Sequence, residues 1–220
     1  MPDLLDAIEI ETGPKPEASV VWLHGLGADG HDFEAIVPEL DLPDCAIRFV
    51  FPHAPMQPVS INAGMVMRAW YDIADPTLRR DDEVGVRASQ ARVEALLARE
   101  KQRGTQANRL VLAGFSQGGV IALQTGLRHP ERLAGIMALS CYVPLAETLP
   151  DEANAANRDV PILMAHGTAD PIVPFARATR SRDLLKHLGY DVQWHDYIMQ
   201  HAVCAQEIND ISGWLVRVLG

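Results

Sequence analysis

Residues 109–122 read R-L-V-L-A-G-F-S-Q-G-G-V-I-A. Leu110, Val111, Leu112 and Ala113 form an apolar run of buried-strand character, and Val120, Ile121, Ala122 and Leu123 open an apolar helix. Between them stand Gly114, Ser116 and Gly118, a G-x-S-x-G pattern. So short a pattern recurs by chance, and the strand before it and helix behind it are the context that gives it meaning. In such a sharp turn the glycines let neighbouring backbone come close, and the serine hydroxyl is held exposed in a strained conformation. The competing reading is a glycine-rich helix start capped by a serine.

The same alternation extends in both directions. Apolar runs at 18–24, 46–51, 133–140, 160–166 and 191–198 read as strands. Helical spacing marks 32–40, 81–102, 117–128, 174–188 and 202–219, with Gly104 and Gly189 placed as helix stops. Strands of continuous apolar character alternating with helices predict an α/β fold: a mostly parallel sheet with helices on both faces. The proline-rich stretch 52–70 reads as a long loop of the kind that often carries function, and 141–159 as an insertion or mobile flap. The charged run Arg79, Arg80, Asp81, Asp82 and Glu83 reads as a solvated helix start. No repeat or linker interrupts 1–220, which is read as a single domain.

The chain carries 19 basic and 29 acidic residues, a formal charge of −10, which argues against nucleic acid or an anionic membrane as a partner. Its three cysteines are widely spaced and odd in number, which suits a reducing compartment. The acidic start M-P-D-L-L-D does not resemble a signal peptide, and no apolar run reaches bilayer-spanning length. A cytoplasmic protein without integral membrane contact is the expectation.

A serine hydroxyl attacks only when an oriented base takes its proton. In this arrangement the acid and the histidine follow the serine in chain order, on loops after later strands. Asp170, in H-G-T-A-D-P-I-V-P, follows the strand at 160–166, and His201, in Y-I-M-Q-H-A-V-C, follows the strand at 191–198. Asp196 is a weaker alternative acid because it falls inside a strand pattern. Donors for a developing oxyanion are expected from the N–H of Gln117 and from the H-G-L-G loop at 24–27, through the N–H of Leu26. No H-E-x-x-H occurs, and the histidines and cysteines lack metal-ligand spacing. The glycine-rich turn at 25–30 lacks the patterns that cradle nucleotide phosphates.

Several longer segments carry a resemblance. H-G-L-G-A-D-G at 24–30, P-H-A-P at 52–55, I-N-A-G-M-V-M-R-A-W-Y-D-I at 61–73, G-F-S-Q-G-G at 114–119, H-G-T-A-D-P-I-V-P at 166–174 and M-Q-H-A-V-C at 199–204 occur in that order. The chain thereby resembles the phospholipase/carboxylesterase family, the α/β-hydrolase group that includes bacterial carboxylesterases and eukaryotic acyl-protein thioesterases. The resemblance implies an α/β-hydrolase fold with a minimal cap, a triad of Ser116, Asp170 and His201, and an oxyanion hole from the Leu26 and Gln117 amides. It implies no cofactor, a small-molecule or lipid-like ester as substrate, and compatibility with a weak homodimer. Gln200 stands before the base where many relatives carry a small residue, which could narrow the local approach.

The leading expectation is a serine carboxylesterase acting on small to medium acyl chains through an acyl-enzyme. Alternatives are an acyl-thioesterase or lysophospholipase of the same family, a non-catalytic binding module on a hydrolase scaffold, or a dienelactone hydrolase, whose relatives typically use cysteine as nucleophile. Walls for an acyl chain are expected from Leu26, Met65, Trp70, Ile172 and Val173. Oxyesters and thioesters pass through the same intermediate, so both stay open.

Overall fold

The computed structural model describes residues 4–75, 77 and 80–220. Strand β1 (Ala7–Glu11) precedes β2 (Ala18–Leu23) and β3 (Ile47–Pro52). A separate hairpin follows, β4 (Met56–Val59) paired with β5 (Met65–Arg68). Strands β6 (Leu110–Phe115), β7 (Gly135–Leu139), β8 (Ile162–Gly167) and β9 (Val192–Tyr197) complete the main sheet. The helices are α1 (Glu83–Gln102), α2 (Gln117–Gly126), the short α3 (Leu149–Glu152), α4 (Phe175–His187) and α5 (Ala205–Leu219).

The seven strands lie in the order β1-β3-β2-β6-β7-β8-β9. Only β1 runs antiparallel, and every other neighbour pairs in parallel. Alternation along the strands divides the apolar side chains between two faces. Val21, Leu23 and Leu112 pack with Val93, Leu97, Val120 and Leu185 of α1, α2 and α4. Val20, Trp22 and Val111 face the other way, against Ile211, Trp214 and Leu215 of α5. This is the mostly parallel sheet covered on both faces that the sequence predicts. Because β2 and β6 are central neighbours, the loops after them emerge side by side at the carboxyl edge, where ligands collect in such sheets.

Several local expectations differ from the structure. Residues 7–11, A-I-E-I-E, form an edge strand that the apolar-run criterion passes over, because its alternating glutamates leave no continuous run. The helix expected at 32–40 is a 3₁₀ stretch, Glu34–Glu39, that contains Pro38. The loop expected at 52–70 holds the β4–β5 hairpin, and the turn between its strands passes through a left-handed Ala63 and Gly64. The segment 141–159 is packed rather than a free flap: Tyr142, Val143, Leu145 and Leu149 are buried. Within the charged run, Arg79 lies outside the described residues. Asp82 caps α1 by accepting from the Gly85 amide at 3.0 Å, and Asp81 accepts from the Leu145 amide at 2.9 Å, so neither is simply solvated. Among the described residues no helix is long and apolar enough to cross a membrane.

One buried charge ties α1 to the sheet. Glu100, fully buried, accepts from Ser19 at 2.8 Å and from Arg48 at 2.9 Å, with Arg103 at 3.0 Å and Arg99 at 3.2 Å. Burial alone would push its carboxyl up, but the hydrogen bonds from Arg48 and Ser19 outweigh this and hold it below the usual glutamate value. A carboxyl lowered on folding adds stability above its unfolded pKa, and that stability is lost as pH falls through the folded value. Arg48→Met removes one of the three guanidinium partners of this buried charge, leaving Arg99, Arg103 and Ser19, and should destabilise the fold by about 1–3 kcal/mol in urea denaturation at neutral pH. The gap to wild type should shrink on acidification as Glu100 takes up a proton. An unchanged midpoint at neutral pH would refute this account of the cluster.

Candidate active site

Ser116 sits between the last residue of β6 and the first of α2 with φ 55° and ψ −121°, a left-handed backbone costly for a residue with a side chain. Three glycines hold it there. A Cβ at Gly114 would lie 2.2 Å from the carbonyl carbon of Gly118, and one at Gly119 would lie 2.8 Å from the Cys141 sulfur. A Cβ at Gly118 would lie 2.1 Å from the Leu23 carbonyl oxygen. These contacts press the start of α2 onto the end of β2. The loop after β2 also abuts the serine, since a Cβ on Gly25 would stand 3.4 Å from the Ser116 Cβ.

His201 and Asp170 meet the serine in one hydrogen-bonded line. His201 Nε2 is 2.9 Å from Ser116 Oγ, and His201 Nδ1 is 2.6 Å from Asp170 Oδ2. The other Asp170 oxygen accepts from the amides of Ile172 at 2.8 Å and Val173 at 2.9 Å, which fixes the carboxylate. The loops bearing the two groups are joined: the amide of Thr168 bonds Tyr197 O and that of Ala169 bonds Met199 O. Gly167 permits this approach, because a Cβ there would be 2.3 Å from Gln200 O. The Phe115 ring packs on the His201 ring with centroids 4.8 Å apart. Asp196, the alternative acid, is exposed and accepts from the indole of Trp194 at 3.0 Å instead.

Two further histidines frame the site. His24 Nε2 accepts from the Ala54 amide at 3.0 Å, so the ring proton sits on Nδ1 and is donated to Gly25 O at 2.7 Å. Burial pushes the His24 pKa down to about 4, which keeps the ring neutral and this loop fixed. Burial also lowers His166, whose Nε2 lies 2.9 Å from Val173 O and 3.4 Å from Asp170 Oδ2. A neutral His166 adds no cation beside the Asp170 carboxylate.

Leu26, Ser116 and Gln117 all line one cavity. Gln117 is the first residue of α2, so its N–H is one of the helix-start donors with no intrahelical acceptor. Among the described residues the Leu26 N–H has no hydrogen-bond partner, while the next amide, of Gly27, is held by Arg68 O. The Gln117 side chain looks away from the site. It accepts from the Trp70 amide at 3.0 Å and donates to Tyr71 O at 2.9 Å, binding the 69–71 segment to the turn.

A cavity of about 300 Å³ opens beside Ser116. Of the residues expected to wall it, Leu26, Ile172 and Val173 do so. Met65 does not: it lies exposed on the β4–β5 hairpin, outside the cavity lining. Trp70 does not either. It is fully buried, with its indole donating to His24 O at 2.9 Å behind the loop. Ile61, Asn62, Tyr71, Ile73, Val120, Tyr142 and Pro171, none of them among the expected walls, complete the lining with Ser116 and Gln117. The signal was present in the 61–73 segment, but alternate residues there face different ways, and only the hairpin geometry selects which reach the cavity. Gln200 is exposed and does not line it.

A family model described as Phospholipase/Carboxylesterase matches residues 5–219. The chain is 40% identical to an acyl-protein thioesterase 1 of Neurospora crassa over 92% of its own length and 87% of that relative. It superposes on the crystal structure of Arabidopsis thaliana SOBER1 with a TM-score of 0.87 at 30% identity, covering 92% of this chain and 99% of that one. Zea mays acyl-protein thioesterase 2 gives a TM-score of 0.83 at 31% identity, covering 98% and 100%.

The tight turn yields a prediction independent of substrate. Gly118→Ala forces a methyl into the Leu23 carbonyl and should cost about 3 kcal/mol or more of stability. Thermal and urea unfolding against wild type will measure it, and a variant as stable as wild type would refute the close approach of α2 to β2.

Proposed function

This chain belongs to the phospholipase/carboxylesterase family of ester and thioester hydrolases, and we propose that it is an acyl-thioesterase that also accepts oxyesters. The observation that carries the reading is the line Ser116–His201–Asp170 opening onto an apolar cavity. In the proposed cycle His201 Nε2 takes the Ser116 proton as the oxygen attacks the acyl carbonyl. The Leu26 and Gln117 amides receive the oxyanion, and His201 protonates the leaving group. Asp170 orients the imidazole and stabilises its charged form. Water then repeats the sequence on the acyl-serine.

Placing the thioester first reverses the leading expectation from sequence. The names of the relatives at 38–40% identity, all acyl-protein thioesterase 1, favour the thioester alternative. Chemistry is compatible with both. A thiol, with a pKa of about 8.5, leaves with less help from a general acid than an alcohol does. The cavity suits a medium-length, unbranched acyl group that buries apolar surface at about 25 cal/mol per Å². A cytoplasmic location fits the three free thiols of Cys45, Cys141 and Cys204. The reading treats residues 1–220 as one domain, since both apolar clusters share one sheet.

Hydrolysis of matched S-acyl and p-nitrophenyl O-acyl substrates, from acetyl to palmitoyl, tests the proposal. Ser116→Ala should lose about 10⁴-fold or more in kcat and all labelling by a fluorophosphonate, with the fold intact by circular dichroism. Asp170→Asn should fall by a comparable factor while Asp196→Asn stays near wild type. A Ser116→Ala enzyme that keeps most of its activity would remove the nucleophile assignment. If oxyesters are cleaved much faster than thioesters, the carboxylesterase reading takes precedence.

A further inference from the structure

Two of the cavity-lining residues are tyrosines, and their hydroxyls meet 3.3 Å apart. The Tyr142 hydroxyl also stands 3.1 Å from Asp81 Oδ1. Asp81 accepts in addition from the Leu145 amide at 2.9 Å and from Arg177 at 3.4 Å, and the Arg177 guanidinium lies 3.6 Å over the Tyr142 ring. A carboxylate accepts hydrogen bonds and donates none. The Tyr142 proton is therefore committed to Asp81, and the Tyr142 oxygen must accept from Tyr71. The Tyr71 proton is committed in turn. Its oxygen is left with accepting capacity and no donor among the described residues. Burial raises both phenols, Tyr142 to about 12, so the chain stays protonated through neutral pH.

The order of donors gives one wall of a mainly apolar cavity a polarity. From this order we infer that Tyr71 is a specificity-determining residue that favours acyl chains bearing a hydroxyl over chains bearing a carbonyl at the same carbon. A substrate hydroxyl donates to the Tyr71 oxygen and extends the line substrate–Tyr71–Tyr142–Asp81. A keto group only accepts, and it meets an oxygen whose proton is already used. A buried acceptor facing an acceptor loses a hydrogen bond on both sides, a discrimination stronger than that between a chain and its longer homologue. The inference rests on reading this cavity as the acyl site.

Binding to the Ser116→Ala variant separates the inference from the hydrolase reading, because it requires no turnover. Calorimetric titration with octanoate, its hydroxy positional isomers and the matching oxo isomers should find one hydroxy isomer bound roughly five- to tenfold tighter than octanoate. The oxo isomer at that carbon should bind more weakly than octanoate. Adding Tyr71→Phe should bring the hydroxy-to-plain ratio to about one. Adding Tyr142→Phe frees the Tyr71 proton and should raise binding of the oxo isomer, a reversal that a merely structural role for the pair would not produce. Equal binding of all hydroxy isomers and octanoate overturns the inference. So does a hydroxy preference that survives Tyr71→Phe, or an unchanged oxo-to-hydroxy ratio in Tyr142→Phe. Esterase activity that persists alongside any of these results leaves the proposed reaction standing. Loss of esterase activity in wild type, with the hydroxy preference intact, removes the reaction and keeps the binding specificity.

Discussion

The contact on which the site depends is the one between the start of α2 and the end of β2. Gly118 allows the helix backbone to reach the Leu23 carbonyl, and Gly114 allows the same helix to fold back over β6. With those two approaches made, Ser116 sits at positive φ, and its amide is anchored across the sheet to the Leu139 carbonyl of β7 at 2.9 Å. The strain at Ser116 is held by burial: every residue of α2 is buried, so the helix has no room to relax away. The same contact sets the helix-start amide of Gln117 beside the loop at 24–27.

His201 and Asp170 arrive from the other half of the sheet. Parallel pairing of β8 with β9 brings the two following loops together, and the hydrogen bonds from Thr168 and Ala169 bind one loop to the other. Asp170 is held by two amides before it meets His201, so the imidazole is oriented by a group that is itself fixed. His24 and His166 are kept neutral by burial and serve as hydrogen-bonding parts of the loops.

Polar groups in the cavity region are sparse and placed. Gln117 fastens the 69–71 segment to the turn through both ends of its amide, and Trp70 closes the back of the His24 loop. Tyr71 follows in the same segment and lines the cavity. One segment thus ties the turn at the serine to the cavity wall. A shift of the segment would move the wall and the turn together.

The sequence by itself determined the parallel α/β sheet, the order of its elements and the three residues, Ser116, His201 and Asp170, that meet in one hydrogen-bonded line. Those features are written in local patterns: continuous apolar runs, glycines at the turn, and an acid and a histidine each placed just after a strand. It did not determine the edge strand 7–11 or the β4–β5 hairpin, whose half-exposed residues carry a weak apolar signal. Nor did it separate Trp70, buried behind the loop, from Tyr71, one residue later in the cavity wall. Which of two adjacent side chains faces the cavity depends on how the segment is anchored from afar, by Gln117, Ser89 and His24. The direction of the Tyr71–Tyr142–Asp81 line likewise exists only once residues 71, 81 and 142 are brought together. Packing and hydrogen-bond direction arise from contacts between distant parts of the chain, and only the tertiary structure decides them.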